Sequence, residues 1–138
     1  LIFKEKKATI WVATMVISSL LINTAIKMII GRDRPEIHRL AAFANEAGKS
    51  FPSGHSIFAT IIFGSIFFIC LRKLKNKSSK IALGILCLIL IATVMFSRIF
   101  VGVHYPSDTI GGFLEGMSLL LFTYPTFIKY QEAAKKAN

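Results

Sequence analysis

Long apolar runs constrain the fold of this chain more than any other feature of its sequence. An α-helix needs about 20 apolar residues to cross the hydrocarbon core of a bilayer. Four stretches have or approach this length: 8–30, 56–71, 81–103 and 108–128. The sequence therefore predicts an all-α bundle of about four transmembrane spans. The loops are too short to hold a second domain, so residues 1–138 are interpreted as one domain.

The buried helical core of a soluble protein is the alternative interpretation of these runs. Soluble bundles carry polar stripes at the helical period of 3.6 residues, whereas 81–93 offers only small residues and a threonine among its apolar side chains. Hydrophobic residues make up 54% of the chain, and the mean hydropathy is +0.61. Both values exceed what a soluble domain of this size usually has, which favours a membrane protein.

The positive charge of the chain is concentrated between the apolar runs. There are 17 basic and 7 acidic residues, which gives a formal net charge of +10. Such an excess is compatible with nucleic-acid binding, with anionic lipid, or with the cytoplasmic loops of a membrane protein. Nucleic-acid binders gather basic residues on one folded face, whereas here they form short blocks. We therefore expect the bilayer, and not nucleic acid, as a partner.

The basic blocks also predict the orientation of the chain. Eleven basic residues lie in the N-terminal segment, the middle loop and the C-terminal segment: Lys4, Lys6, Lys7, Arg72, Lys73, Lys75, Lys77, Lys80, Lys129, Lys135 and Lys136. The positive-inside rule places these segments in the cytoplasm. We therefore expect an integral plasma-membrane protein in which 31–55 and 98–107 face the extracytoplasmic side.

Polar residues at the ends of the runs form three blocks that apolar packing does not explain. The blocks are Lys27 with Arg34-Pro35, then Pro52-Ser53-Gly54-His55, then Ser97-Arg98 followed by His104 and Asp108. Taken singly, each has an ordinary explanation. A lysine at a helix end can extend to the interface, an arginine can be a loop charge, and Pro-Ser-Gly can be a turn before a helix.

Together, the three blocks resemble the signature of the type 2 phosphatidic acid phosphatase (PAP2) superfamily, and all eleven of its positions match. Integral members of that family usually have six spans, so the resemblance implies that two spans precede Leu1. It also implies a lipid phosphatase that needs no metal and forms a phosphohistidine on His104.

The residue types in these blocks suit phosphoryl transfer. Lys27, Arg34 and Arg98 supply cationic donors for the charge on the phosphoryl oxygens. Ser53 and Gly54 come just before an apolar run, where the hydroxyl and the N–H groups of a helix start favour an anion. These five residues are therefore the candidates for phosphate binding.

Two histidines and one carboxylate are the candidate catalytic residues. Asp108 follows His104 by four residues, and Pro106 suits the first turn of the next helix, so the carboxylate can reach back to the imidazole. A carboxylate on one ring nitrogen leaves the other free as a nucleophile. His55, with an ordinary pKa near ~6.5, is expected to protonate the leaving alkoxide and later to activate water.

No metal or cofactor is predicted. Asp108 is the only acid that matches the site, and the three histidines lack the spacing of a zinc site. Cys70 and Cys87 lie in apolar runs and are interpreted as apolar packing residues. His38 matches no motif and is interpreted as a solvated loop residue, with substrate contact as the lesser alternative.

Glu115 is an acid inside a predicted span, where acids are usually functional. It follows Asp108 by seven residues and so lies on the same helical face, together with Gly111 and Gly112, which allow close helix packing. Our hypothesis is that Glu115 faces the interior of the bundle and pairs with a polar group such as Asn23 or Lys27.

Several functions are compatible with the three blocks. The first is hydrolysis of a lipid phosphomonoester or diphosphate, with undecaprenyl diphosphate, phosphatidylglycerophosphate and phosphatidic acid as candidate substrates. The second is oxidation, because the vanadium haloperoxidases hold vanadate in a similar set of residues. Those proteins are soluble, however, whereas this chain is predicted to lie in the membrane. A membrane protein that binds or transports phosphate without hydrolysing it is the alternative from another class. The oligomeric state is left open.

Overall fold

The computed structural model describes residues 6–36, 39–43 and 45–136. His38, which was interpreted as a loop residue, lies outside them. The described residues form four α-helices and one short 3-10 helix, with no strand among them. The elements are α1 (Lys6–Ile30), the 3-10 helix Ala41–Phe43, α2 (Gly54–Leu71), α3 (Lys77–Phe100) and α4 (Pro106–Lys136). Each α-helix coincides with one predicted run, which confirms the all-α prediction.

Three of the helices, α1, α2 and α3, are long and apolar enough to cross a membrane. The fourth predicted span corresponds to α4, which is not among them by hydropathy. Its first ten residues include Asp108 and Glu115, and its last turns are polar. With 31 residues, α4 is about 46 Å long, which is more than a bilayer core requires.

The starts of α2 and α3 are set by side-chain caps that lie before the apolar runs. Asn76 accepts a hydrogen bond of 3.0 Å from the N–H of Ser78, so α3 begins four residues before its apolar run. Ser53 caps α2 in the same way. Short polar residues at this position satisfy N–H groups that have no partner within the helix.

The most extensive contact between helices is that of α2 with α4. A Cβ atom at Gly112 would lie 2.5 Å from the carbonyl oxygen of Ser53, and one at Gly116 would lie 2.8 Å from Cβ of Thr60. Glycines four residues apart therefore let the two backbones approach. Gly111, which was also expected to serve packing, faces the ring of Phe51 instead.

An aromatic cluster joins α1 to α4 at the end of the bundle away from the predicted site. Trp11 stacks on Phe127 with ring centroids 4.3 Å apart, and its indole N–H donates a 2.8 Å hydrogen bond to Thr123. Outward-facing apolar side chains such as Leu21 and Phe122 are 70% and 86% exposed, as expected for residues that face lipid. Because successive helices run in opposite directions, all three motif blocks lie at the other end.

Both cysteines are free thiols among apolar neighbours. Cys87 is buried in α3, and Cys70 is half-buried near the end of α2. This placement agrees with their interpretation as apolar packing residues.

Candidate active site

Backbone hydrogen bonds hold the α1–α2 loop against the α3–α4 connection. The N–H of Ser53 donates to the carbonyl of Asp108 over 2.9 Å, and the N–H of Leu40 donates to that of Val101 over 3.2 Å. Within the loop, the N–H of Ser50 donates to the carbonyl of Arg32 over 2.8 Å. These bonds bring motif residues that are far apart in sequence to one end of the bundle.

His104 and Asp108 lie side by side and are both buried. Nδ1 of His104 is 3.5 Å from Oδ2 of Asp108, and Nδ1 has no hydrogen bond within the described residues. This distance is longer than a well-formed hydrogen bond, but such contacts are often long without substrate and shorten when it binds. Oδ2 also accepts a 2.8 Å hydrogen bond from the N–H of Tyr105. The predicted pairing is therefore present as a close contact.

Arg34 lies against the other ring nitrogen of His104. Its Nη1 is 3.5 Å from Nε2 of the imidazole and 3.1 Å from a carboxylate oxygen of Glu46. Nη1 also donates to the carbonyl of Val103 over 3.2 Å, and Nε donates to that of Gly48 over 3.1 Å. The nitrogen that faces away from Asp108 thus faces a guanidinium, a group that can hold an oxygen of a phosphoryl group.

Burial and the nearby Arg34 guanidinium lower the pKa of His104 from 6.5 to about 4, while Asp108 acts in the opposite direction. Imidazole is therefore neutral at neutral pH in the absence of substrate. A neutral ring has the free lone pair that a nucleophile needs.

Ser53, a predicted phosphate-binding residue, caps α2. Its Oγ accepts a 3.5 Å hydrogen bond from the N–H of Ser56 and caps α2, and the side chain is buried. Accepting this bond does not use the hydroxyl proton, which can still be donated to an anion. Gly54, the first residue of α2, lies close to Asn23 of α1: an added Cβ would be 3.3 Å from the amide nitrogen.

The remaining predicted residues lie at the same end of the bundle. Nζ of Lys27 donates a 2.5 Å hydrogen bond to the carbonyl of Lys49, and it interacts electrostatically with Arg34 and Asp108. Arg98 is half-buried at the end of α3 and interacts with His55, as does Arg34. Arg34 is thus close enough to interact with both Lys27 and His55, and the predicted cations contribute to one region of positive electrostatic potential.

A cavity of about 590 Å³ opens beside His55, which lies in its wall. Its wall comes from three helices and is mainly apolar. The residues that line it include Leu20, Asn23, Phe58, Phe63 and Val94. A volume and lining of this kind are typical of sites for apolar ligands.

Glu115 faces the interior, as the hypothesis required, but it has no hydrogen-bonded partner among the described residues. Both of its carboxylate oxygens are buried and have no hydrogen bond within 6–36, 39–43 and 45–136, and the same holds for Oδ1 of Asn23. Lys27 contributes only an electrostatic interaction with Glu115. Among the described residues, the expected pairing with Lys27 is therefore electrostatic and involves no hydrogen bond.

Sequence reasoning missed four residues at the site: Arg32, Glu46, Tyr105 and Ser107. Arg32 forms an ion pair of 2.9 Å with Asp108 and stacks on Tyr105. The only signal in the sequence was a second arginine two residues before Arg34.

Among the described residues, no cluster of three or more His, Cys, Asp or Glu side chains could hold a metal ion. Metal-free chemistry stays a prediction.

The comparison with protein families decides what kind of chain this is. The family model of the PAP2 superfamily matches residues 8–132 of this chain. The chain belongs to the PAP2 superfamily. This confirms the resemblance drawn from the three motif blocks, all of which lie inside the matched residues.

Several PAP2 relatives are similar over most of this chain. Phosphatidylglycerophosphatase B of Bacillus subtilis (strain 168) is 36% identical over 103 residues, which is 74% of this chain and 48% of that protein. An Escherichia coli (strain K12) protein that carries the name of an undecaprenyl-diphosphatase, YbjG, is 29% identical over 82% of this chain and 54% of its own length. The bacitracin transport permease protein BcrC of Bacillus licheniformis is 39% identical over 67% of this chain and 39% of its own length.

A solved structure supports the same family assignment. The crystal structure of a transmembrane PAP2 type phosphatidylglycerolphosphate phosphatase from Bacillus subtilis superposes with a TM-score of 0.75 at 29% identity, over 86% of this chain and 58% of that one. The chain therefore has the transmembrane PAP2 fold and is an integral membrane protein. It spans about half the length of the curated relatives that it matches.

Proposed function

We propose that this PAP2 protein is a lipid phosphatase that hydrolyses a phosphomonoester or diphosphate through a phosphohistidine on His104. The observation that carries the proposal is the setting of the imidazole, with Nδ1 3.5 Å from Asp108 and Nε2 3.5 Å from Arg34. One nitrogen is oriented by a carboxylate while the other faces a cation that can hold a phosphoryl oxygen.

The first step transfers the phosphoryl group to the enzyme. The lone pair on Nε2 of His104 forms a bond to phosphorus, and the bond from phosphorus to the lipid oxygen breaks. His55 gives its proton to the departing oxygen, so the lipid leaves as an alcohol or a monophosphate. The positive charge that develops on the imidazole is stabilised by Asp108, which accepts from Nδ1–H.

The second step releases phosphate. His55, now neutral, takes a proton from water as the water oxygen attacks phosphorus. The bond from phosphorus to nitrogen breaks, and its electron pair returns to Nε2 of His104. Both histidines are then in their starting protonation states, so the cycle closes.

The cationic groups supply the charge stabilisation that a metal ion supplies in other phosphatases. Lys27, Arg34 and Arg98 would surround the phosphoryl oxygens, which carry the charge in both steps. Ser53 would donate its hydroxyl proton, and the N–H groups at the start of α2, next to Gly54, would add the helix dipole. No divalent cation is needed in this scheme.

The lipid tail has a matching place beside the site. The apolar cavity lies between α1, α2 and α3 and has His55 in its wall. A tail in this cavity would leave the phosphate at the end of α2, where the polar groups are. The names of the relatives are consistent with phosphatidylglycerophosphate and undecaprenyl diphosphate as substrates, and phosphatidic acid is the third candidate.

The site is proposed to face the extracytoplasmic side of the plasma membrane. It lies at the ends of the helices where Ile30, Gly54 and Phe100 are found, whereas the basic loop from Arg72 onwards lies at the opposite ends. The positive-inside rule assigns the basic end to the cytoplasm.

Transport or simple binding of a phosphate compound is the second candidate, because one relative carries a transport name. A binding site needs cations but does not need a buried histidine held between a carboxylate and a guanidinium. The geometry at His104 therefore favours catalysis.

Phosphate release distinguishes the two functions. The protein in detergent, with EDTA present, would be assayed with the three candidate lipids and compared with His104→Ala. We expect metal-free turnover of at least one lipid that the substitution abolishes. Binding of the lipids without release of phosphate would favour the transport candidate, and turnover that survives in His104→Ala would exclude this nucleophile.

A further inference from the structure

The carboxylate of Asp108 is held at both of its oxygens. It is fully buried, and Oδ2, the oxygen near His104, accepts the N–H of Tyr105 over 2.8 Å. The other oxygen, Oδ1, is 2.9 Å from Nη1 of Arg32. The three-part motif of the family assigns no role to Arg32.

Arg32 is itself fixed by its surroundings. The same Nη1 donates a 2.7 Å hydrogen bond to Oγ of Ser107, and the guanidinium carbon lies 4.5 Å from the centre of the Tyr105 ring. All of these contacts are with residues 105–108, the segment that follows His104 and begins α4. The arginine therefore joins the α1–α2 loop to the segment that carries the catalytic pair.

We propose that Arg32 is a positioning residue that holds the Asp108 carboxylate so that Oδ2 faces Nδ1 of His104. This inference rests on the proposed hydrolytic function. A carboxylate tethered only by the Tyr105 N–H could rotate about its bond to Cβ, and a buried carboxylate without a cationic partner is strongly disfavoured. Arg32 counters both effects. It holds Oδ1, the oxygen that does not face the imidazole, which prevents rotation, and it is the cationic partner of the buried carboxylate.

A direct contact between Arg32 and the substrate phosphate is the competing explanation. The contacts of Arg32 argue against it. Its guanidinium is engaged with Asp108, Ser107 and the Tyr105 ring, whereas Arg34 is the guanidinium next to Nε2 of His104. The two arginines are two residues apart but serve opposite sides of the catalytic pair.

A double-mutant cycle separates these roles. Arg32→Gln should lower kcat by about 10- to 100-fold, the range for losing one hydrogen bond to a charged group, and should leave KM unchanged. In an Asp108→Asn background the same substitution should cause no further loss, because a residue that acts only through Asp108 has nothing left to position. Arg32→Lys, which keeps the charge, should recover part of kcat.

Matched controls test for a general effect on folding. Arg72→Gln removes a similar arginine–carboxylate pair, with Glu132, at the other end of α2, and should keep the activity of the parent. Thermal unfolding followed by Trp11 fluorescence shows whether each variant is folded. If Arg32→Gln does not accumulate as folded protein, the same cycle is carried out with Arg32→Lys.

Three outcomes would overturn the inference: an undiminished kcat in Arg32→Gln, a raised KM, or a loss of equal size with and without Asp108→Asn. If the double variant has no measurable turnover, the separate kcat and KM values of the single variant decide. These outcomes are distinct from failure of the proposed function, in which the parent protein itself releases no phosphate or His104→Ala retains turnover.

Discussion

The N–H of Ser53 donates a 2.9 Å hydrogen bond to the carbonyl oxygen of Asp108. This bond joins the second motif block to the third, at the point where α2 and α4 begin. The phosphate-binding candidate Ser53 and Asp108, the carboxylate proposed to orient His104, are therefore parts of one hydrogen-bonded unit. Close approach of the two helices is a condition for that unit.

Gly112→Ala is expected to disturb this unit. The new Cβ would lie 2.5 Å from the carbonyl oxygen of Ser53, and a backbone atom cannot move aside without shifting α2. We expect a loss of about 1–3 kcal/mol in stability, as for other overpacked interiors, together with reduced kcat. Thermal unfolding and phosphate release measure the two effects.

Gly111→Ala is the matched control for this substitution. The atoms nearest to its Cβ would be those at the far end of the Phe51 side chain, which can rotate away. Equal effects of the two substitutions would show that contact with Ser53 is not what limits this interface.

The protonation of His104 can be measured without substrate. Burial and Arg34 lower the pKa of His104 to about 4, so NMR of isotope-labelled histidine should show a neutral ring down to that pH. Arg34→Gln removes a cation that disfavours the imidazolium, so the pKa of His104 should rise toward 6.5. The His104→Ala variant identifies the resonance. Titration of His104 near pH 6.5 in the parent protein would contradict this electrostatic account.

The same low pKa of His104 has a consequence for stability. Between pH 6.5 and about 4 the unfolded chain binds a proton at His104 that the folded chain does not. Stability should therefore fall as pH decreases through this window. His104→Asn should reduce that part of the pH dependence in thermal unfolding, and an unchanged pH dependence would exclude the contribution of His104.

The loss of activity in His55→Ala should depend on the leaving group of the substrate. A lipid alkoxide is a poor leaving group and needs a proton, so loss of the general acid should lower kcat for first-step transfer by about 10²- to 10⁴-fold. An aryl phosphate leaves without a proton, so its first step should be far less affected. Stopped-flow release of the aryl alcohol and single-turnover release of the lipid alcohol measure the two. Equal losses would argue that His55 binds phosphate instead.

Val94→Trp is expected to reduce the space for a lipid tail. Val94 lines the apolar cavity, whereas Ala92, two residues earlier on α3, is exposed on another face. Val94→Trp should raise KM for long-chain lipid phosphates and leave short-chain substrates unaffected, because only long tails fill the cavity. Ala92→Trp is the control for a large side chain on α3. A raised KM for short and long chains alike would place the tail elsewhere.

Several contacts at the candidate site could be predicted from the sequence because the signals for them are local. The four-residue spacing of His104 and Asp108, with Pro106 between them, predicts a contact across one helical turn, and the structure contains that contact. The sequence also placed Ser53 and Gly54 at the start of a helix, and α2 begins at Gly54. Such features depend on neighbouring residues and need no knowledge of the tertiary fold.

Contacts between segments that are far apart in the sequence could not be predicted from it. Arg32 and Asp108 are 76 residues apart, and their ion pair depends on how the α1–α2 loop folds back over α4. Glu115 shows the same dependence on packing: helical spacing predicted its inward face, but not that Lys27 interacts with it electrostatically and without a hydrogen bond. Partners across a bundle are set by helix packing.

The most direct test of the histidine mechanism is to trap the phosphoenzyme in His55→Ala supplied with an aryl phosphate. The first step then needs no general acid, whereas hydrolysis of the intermediate lacks its base, so the phosphohistidine should accumulate. After quenching in alkali, where a phosphorus–nitrogen bond survives, we expect peptide mass spectrometry to locate the phosphoryl group on His104, and to find none when His104→Ala is added. A phosphoryl group on another residue, or continued turnover in the double variant, would contradict the account.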